Sequence, residues 1–215
     1  MRATVTNPAR GDMHPVPREK RFPVTDENKS TVVTVFGSSM APAGGELYRS
    51  AERLGRMLAE RGARVASGGY GGVMEAVSRG ARAAGGHALG FTVPDFPGRE
   101  PNEFLSEERP CGDLYERLQG LIHGSDAWIA LGGGIGTLVE IFLAWNEIYM
   151  SLLPARPLLL VGSEWPAALE SLSGLTELGE RHMKLIDLCD DIDSAVELLA
   201  SRGVFADTAG SGVTQ

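Results

Sequence analysis

Three times in this chain a short apolar run ends in a glycine-rich turn and gives way to a segment of helical period. Thr31-Val-Val-Thr-Val-Phe36 leads into Gly37-Ser-Ser39, and Ala63-Arg-Val-Ala-Ser67 leads into Gly68-Gly-Tyr-Gly-Gly72. Ala127-Trp-Ile-Ala-Leu131 leads into Gly132-Gly-Gly-Ile-Gly136. Strands without a polar face are covered on both sides, which is the habit of parallel sheets. Repeated strand–helix units with right-handed crossovers wind such a sheet in both directions. Ligands of doubly wound sheets bind at the carboxyl ends of the strands, where the strand order reverses. All three glycine turns open on that edge.

The remaining elements follow the same rhythm. Leu47, Ala51, Leu54 and Leu58 recur at helical spacing until Gly62 stops the pattern. A helix is expected over 73–84, and a strand from His87 to Val93 that ends at Pro94. Residues 94–112 read as a long polar loop with four prolines, a lid or wall over a site. Helices are expected over 113–124, 137–150, 165–172 and 194–200, and strands over 157–161 and 185–188. Residues 1–30 hold four prolines and scattered charges, and read as a disordered or draped arm. Residues 31–202 then form a single α/β domain, a doubly wound, mostly parallel, Rossmann-like sheet with helices on both faces. Residues 203–215 read as a tail.

Composition closes off several classes. The formal net charge of −8 speaks against a broad nucleic-acid-binding face. No apolar run is long enough to span a membrane, and the N-terminal segment has no apolar core of a secretory signal. A cytoplasmic protein is expected. Cys111 and Cys189 are far apart and lack metal-ligand spacing, so no metal site is expected. Of the twenty basic residues only Lys20, Lys29 and Lys184 are lysines. Pyridoxal phosphate needs a Schiff-base lysine and a P-loop needs its GK[ST] lysine, and nothing between Ser30 and Met183 can supply either.

The turn Gly132-Gly-Gly-Ile-Gly-Thr137 carries the chemistry. Its bare amides, the Thr137 hydroxyl and the start of the next helix can together cradle a phosphate. The same glycines would also suit a tight turn and nothing more. G-x-G-x-x-G fails, because Thr137 and Val139 stand where the last glycine belongs. The second turn, Gly68 to Gly72, would lie beside the first, and two converging loops suit a nucleoside monophosphate. Glu140 lies one turn into the helix, near whatever carries the phosphate. Arg117 stands in an amphipathic helix with Leu114, Leu118, Leu121 and Ile122. His87 and His123 are isolated, and Trp128, Trp145 and Tyr149 read as packing residues.

These motifs resemble the LOG ("Lonely Guy") family of nucleotide-binding, Rossmann-like proteins, often mislabelled lysine decarboxylases. The family pattern P-G-G-x-G-T-x-x-E is matched by Gly132-Gly-Gly-Ile-Gly-Thr-Leu-Val-Glu140 in all but the proline. A second element, GGG-x-G-x-M-E-A, is similar to Ser67-Gly-Gly-Tyr-Gly-Gly-Val-Met-Glu-Ala76, and Val35-Phe-Gly-Ser-Ser39 is similar to the family's first turn. Arg117 falls where the family has the arginine of an Arg-Lys pair, with Leu118 replacing the lysine. The resemblance implies hydrolysis of the N-glycosidic bond of a nucleoside 5′-monophosphate, an N6-modified adenine nucleotide being one candidate. It implies Arg117 and Glu140 as the catalytic pair. It implies phosphate and nucleotide contacts from Gly37, Ser38, Ser39, Gly68, Gly69, Gly71, Gly72, Met74, Glu75, Gly133, Gly134, Ile135, Gly136 and Thr137. No resident cofactor is implied, and a homodimer or larger homo-oligomer is expected. The alternative within the same superfamily is a non-hydrolytic nucleotide-binding or molybdenum-cofactor carrier protein.

Overall fold

The computed structural model describes residues 30–94 and 96–205. The expected arm at residues 1–30, except Ser30, and the expected tail at residues 203–215, from residue 206 on, lie outside the described residues. The elements run β1 (Val32–Phe36), α1 (Glu46–Glu60), β2 (Arg64–Ser67), α2 (Val73–Ala83), β3 (Ala88–Thr92), β4 (Glu107–Pro110) and α3 (Leu114–His123). They continue with β5 (Ala127–Ala130), α4 (Ile135–Tyr149), β6 (Leu158–Val161), α5 (Trp165–Leu175), α6 (Glu180–Met183), β7 (Asp187–Cys189) and α7 (Ile192–Ser201).

The strands form one parallel sheet in the order β4-β3-β2-β1-β5-β6-β7. Successive residues of β1 point to opposite faces, and both faces are apolar. Val33 and Val35 join a core with α1, α2 and α7, while Val32 and Phe36 join Trp128 and the residues of α3, α4 and α5. Every residue of β1, β3, β5 and β6 is buried, as the unbroken apolar runs require. Thr34 is the polar exception in β1, and its hydroxyl bonds the buried Ser125 hydroxyl. The order reverses between β1 and β5, so the carboxyl ends of these two strands diverge into a crevice.

At the two edges of the sheet the structure departs from the sequence reading. The segment 94–112 is not loop throughout, because Glu107–Pro110 adds a parallel edge strand to β3. Glu-Glu-Arg-Pro shows no apolar run, since an edge strand is held by backbone pairing and ion pairs rather than by burial. Arg64 meets Glu107 at 2.6 Å and Arg109 meets it at 2.7 Å. The short helix α6 also precedes β7, which starts at Asp187 rather than at Leu185.

Helices α1 and α2 approach so closely that a Cβ on Gly80 would collide with the Glu52 carbonyl, and one on Gly55 with the Val77 carbonyl. That contact fixes α2, and with it the turn between β2 and α2. Gly80→Ala is therefore expected to destabilise the fold by about 1–3 kcal/mol, measured as a lower urea midpoint with an unchanged slope.

Candidate functional site

The strand β1 lies between β2 and β5, so the turns that follow these three strands meet. Backbone hydrogen bonds tie them together. The Ser38 amide donates to the Gly132 carbonyl at 3.0 Å, and the Val73 amide donates to the Ser38 carbonyl at 2.8 Å. Gly72 has φ of +69° and lies against the Ser38–Ser39 backbone, so neither its conformation nor its surroundings admit a side chain. A cleft of about 460 Å³ opens at the reversal point between these turns, with α3 and α4 as its further walls.

Arg117 enters from α3. The Asp113 carboxylate accepts from the Glu116 amide at 2.8 Å and fixes where that helix begins. Leu118, Leu121 and Ile122 are buried on the same helix, which carries the arginine inward. Its Nε donates to the Phe91 carbonyl of β3 at 2.9 Å. Its Nη1 donates to Glu140 Oε1 at 3.4 Å, and Nη2 lies 4.0 Å from Met74 Sδ. A Cβ on Gly68 would strike the guanidinium, so the bare Gly68 backbone is what leaves the arginine its seat. The two side chains are only 8% and 11% exposed.

Burial pushes the Glu140 carboxyl up from its ordinary 4.5 to about 7, against the opposing pull of the Arg117 guanidinium. Both protonation states are then accessible near neutral pH, which suits a group that gives or takes a proton. Above this pair, α4 starts at Ile135 with Gly134 as its N-cap and no side chain capping it. Gly134 and Gly136 have open space where a Cβ would stand. The first amides of α4 are thus available to an anion in the cleft.

The cleft is lined by Gly37, Ser38, Ser39, Gly68, Met74, Gly134, Ile135, Gly136 and Thr137, together with Arg117 and Glu140. Gly69, Gly71, Gly72, Gly133 and Glu75, grouped with them from sequence, do not line it. Gly72 packs on the Ser38–Ser39 backbone and Gly133 packs under the Thr137 side chain. Glu75 is turned toward α1, where its carboxylate accepts from the Tyr48 hydroxyl at 2.6 Å. Neighbours on a helix diverge by about 100°, and here Met74 faces the cleft while Glu75 faces α1. Helix α4 also begins two residues earlier than the spacing suggested, so Ile135 and Gly136 belong to its first turn.

Sequence reasoning missed Tyr70, Phe96, Pro97, Arg99 and Leu114, all of which line the cleft. Tyr70 sits inside the quoted glycine turn, and Pro97-Gly98 is a turn signal, so both carried a local mark. Leu118 is buried and does not line the cleft, and Gly132 faces a neighbouring depression instead. His87 and His123 bond Glu107 and Glu147 away from the cleft. Cys111 and Cys189 are buried free thiols, and among the described residues no group of His, Cys, Asp and Glu is arranged to hold a metal.

The reversed strand order and the crevice beside β1 define a Rossmann-like α/β protein. The chain belongs to the SLOG cluster4 family, whose model matches residues 30–153. It is 38% identical over 112 residues to the cytokinin riboside 5′-monophosphate phosphoribohydrolase of Mycobacterium tuberculosis, spanning 51% of this chain and 60% of that one. The protein of the same name from Mycobacterium marinum is 29% identical over 184 residues, 82% of this chain and 97% of that one. The first curated relatives are matched over only 49–66% of their own length. Among solved structures, the molybdenum cofactor binding protein of Rippkaea orientalis superposes with a TM-score of 0.67. That match covers 81% of this chain and 98% of that one at 23% identity, which is a likeness of fold.

The raised Glu140 carboxyl has a consequence for stability. The folded chain holds that proton up to about pH 7, whereas the unfolded chain releases it near 4.5. Stability contributed at this position therefore falls as pH rises between those values, by about 3 kcal/mol in all. Urea unfolding at pH 5 and pH 8 is expected to show this loss in the unmodified chain and not in Glu140→Gln.

Proposed function

We propose that the chain is a phosphoribohydrolase that cleaves the N-glycosidic bond of a nucleoside 5′-monophosphate in the cytoplasm, N6-modified AMP among its substrates. The observation that carries this reading is the buried Arg117–Glu140 pair, 3.4 Å apart, with the carboxyl poised near neutrality beneath an uncapped helix start. The names borne by the mycobacterial relatives support it. No described helix is long and apolar enough to cross a membrane.

In this reading the amides around Gly134 and Gly136 hold the 5′-phosphate, and the ribose reaches inward to Glu140. The ionised Glu140 accepts a proton from the attacking water. The water oxygen bonds C1′ as the C1′–N bond breaks, and that bond's electron pair leaves with the base. The same carboxylate stabilises the oxocarbenium-like charge that develops on the sugar. The departing base takes up the proton that Glu140 received from the water, which regenerates the carboxylate, while the Arg117 guanidinium hydrogen-bonds the base. The products are the free base and ribose 5-phosphate.

Incubation with AMP and with N6-isopentenyl-AMP is expected to release free base, read by chromatography. Glu140→Gln is expected to lower kcat by about 10²- to 10⁴-fold while the protein remains folded. Because the base form of Glu140 is required, kcat/KM should rise with pH through about 7. A folded protein that releases no base from either nucleotide defeats the reading for those substrates. Tight binding of molybdopterin without turnover would instead favour the carrier alternative.

The chain works as a homodimer in this reading. Ile135, Val139 and Phe142 form an outward stripe on α4, exposed at 80%, 42% and 37%. The charged residues of α4 leave that stripe free of charge, since Glu140 is buried and Glu147 is bonded to His123. A two-fold contact between copies of α4 would cover it. Phe142→Glu is expected to halve the mass measured by light scattering, and an unchanged mass would refute this interface.

A further inference from the structure

The loop between β3 and β4 is pinned to the glycine turn at both ends and overhangs the cleft in between. At its start the Tyr70 hydroxyl accepts from the Val93 amide at 2.7 Å and donates to the Val93 carbonyl at 3.1 Å. At its far side the Asn102 side-chain amide donates to the Gly69 and Tyr70 carbonyls at 3.0 and 3.1 Å. Between these pins Phe96-Pro97-Gly98-Arg99 closes a turn, the Arg99 amide donating to the Phe96 carbonyl at 3.2 Å. Gly98 has φ of +67°, which with Pro97 before it matches a type II turn. A backbone so constrained sets the point at the cleft mouth from which each side chain of the turn extends.

Arg99 is exposed there and lines the cleft. Its guanidinium carbon lies 5.8 Å from the Tyr70 ring centroid, the same distance at which Arg117 approaches that ring. The two cations differ in what else they meet. Arg117 is buried and faces Glu140, so much of its charge is already answered. Arg99 meets no carboxylate among the described residues. In a chain of net charge −8, a cation at the mouth of a cleft with no carboxylate partner among the described residues has directional value.

We infer that Arg99 determines the charge specificity of the cleft by donating hydrogen bonds to a phosphate oxygen of the bound ligand. The inference rests on the nucleotide reading of the cleft. A guanidinium at cation–π distance from an aromatic ring, here 5.8 Å from the centroid, keeps its N–H groups free to address an anion. A lysine in the same place lacks the forked donors. The site then prefers a phosphorylated ligand to its unphosphorylated counterpart.

The test is calorimetric binding of AMP and of adenosine to full-length Glu140→Gln protein, which removes turnover, with and without Arg99→Ala or Arg99→Lys. Circular dichroism confirms folding of each, which an exposed position should preserve. Arg99→Ala is expected to weaken AMP binding at least ~10-fold and to leave adenosine binding within about twofold. Arg99→Lys is expected to fall between. Equal AMP affinity with and without Arg99 overturns the inference and leaves the nucleotide reading standing. Equal weakening of AMP and adenosine also overturns it, because the residue would then be only a wall of the cleft. A full-length protein that binds no AMP removes the nucleotide reading and this inference together. Arg99-dependent AMP binding without base release removes only the hydrolytic reading.

Discussion

Arg117 and Glu140 meet where the protein has removed most of the water that would otherwise solvate them. Such a pair is held only if the surroundings supply what water no longer does, because losing one partner of a buried pair typically costs about 3–5 kcal/mol. The surroundings are drawn from the whole sheet. β3 supplies the Phe91 carbonyl, the β2 turn supplies the empty place at Gly68, and α3 and α4 supply the two side chains. The close glycine contact of α1 with α2 keeps that turn where the guanidinium needs it. Much of the fold can be understood as the apparatus that keeps one partly desolvated carboxyl beside one arginine.

The same arrangement explains why the carboxyl is poised rather than simply paired. A strong, short contact in a polar setting would hold Glu140 ionised. Here desolvation outweighs an attraction acting across 3.4 Å, and the proton is retained to about pH 7. Burial on one side and a guanidinium 3.4 Å away on the other set the balance.

How much of this could be read from sequence depended on what each element is held by. β1, β5 and β6 are held by burial, and burial leaves an apolar run that can be recognised. β4 is held by backbone pairing and the ion pairs of Glu107, and its four residues read as loop. Glycines marked the turns, yet could not distinguish Gly134, which faces the cleft, from Gly133, which supports Thr137. Arg117 shows no helical spacing that separates it from a solvated arginine, and only the family pattern singled it out. Glu75 was misplaced because one step around α2 turns it from the cleft to Tyr48.

The charged composition of β4 also bears on how the molecule can meet others of its kind. Glu107 is bonded to Arg64 and Arg109, and Glu108 to Thr92, so the four-residue edge is charged and ends in Pro110, which disfavours the addition of a further strand. The opposite border, β7, offers only three residues. Neither rim is a good template for growth of the sheet. Open-ended growth of the sheet from copy to copy is thereby discouraged.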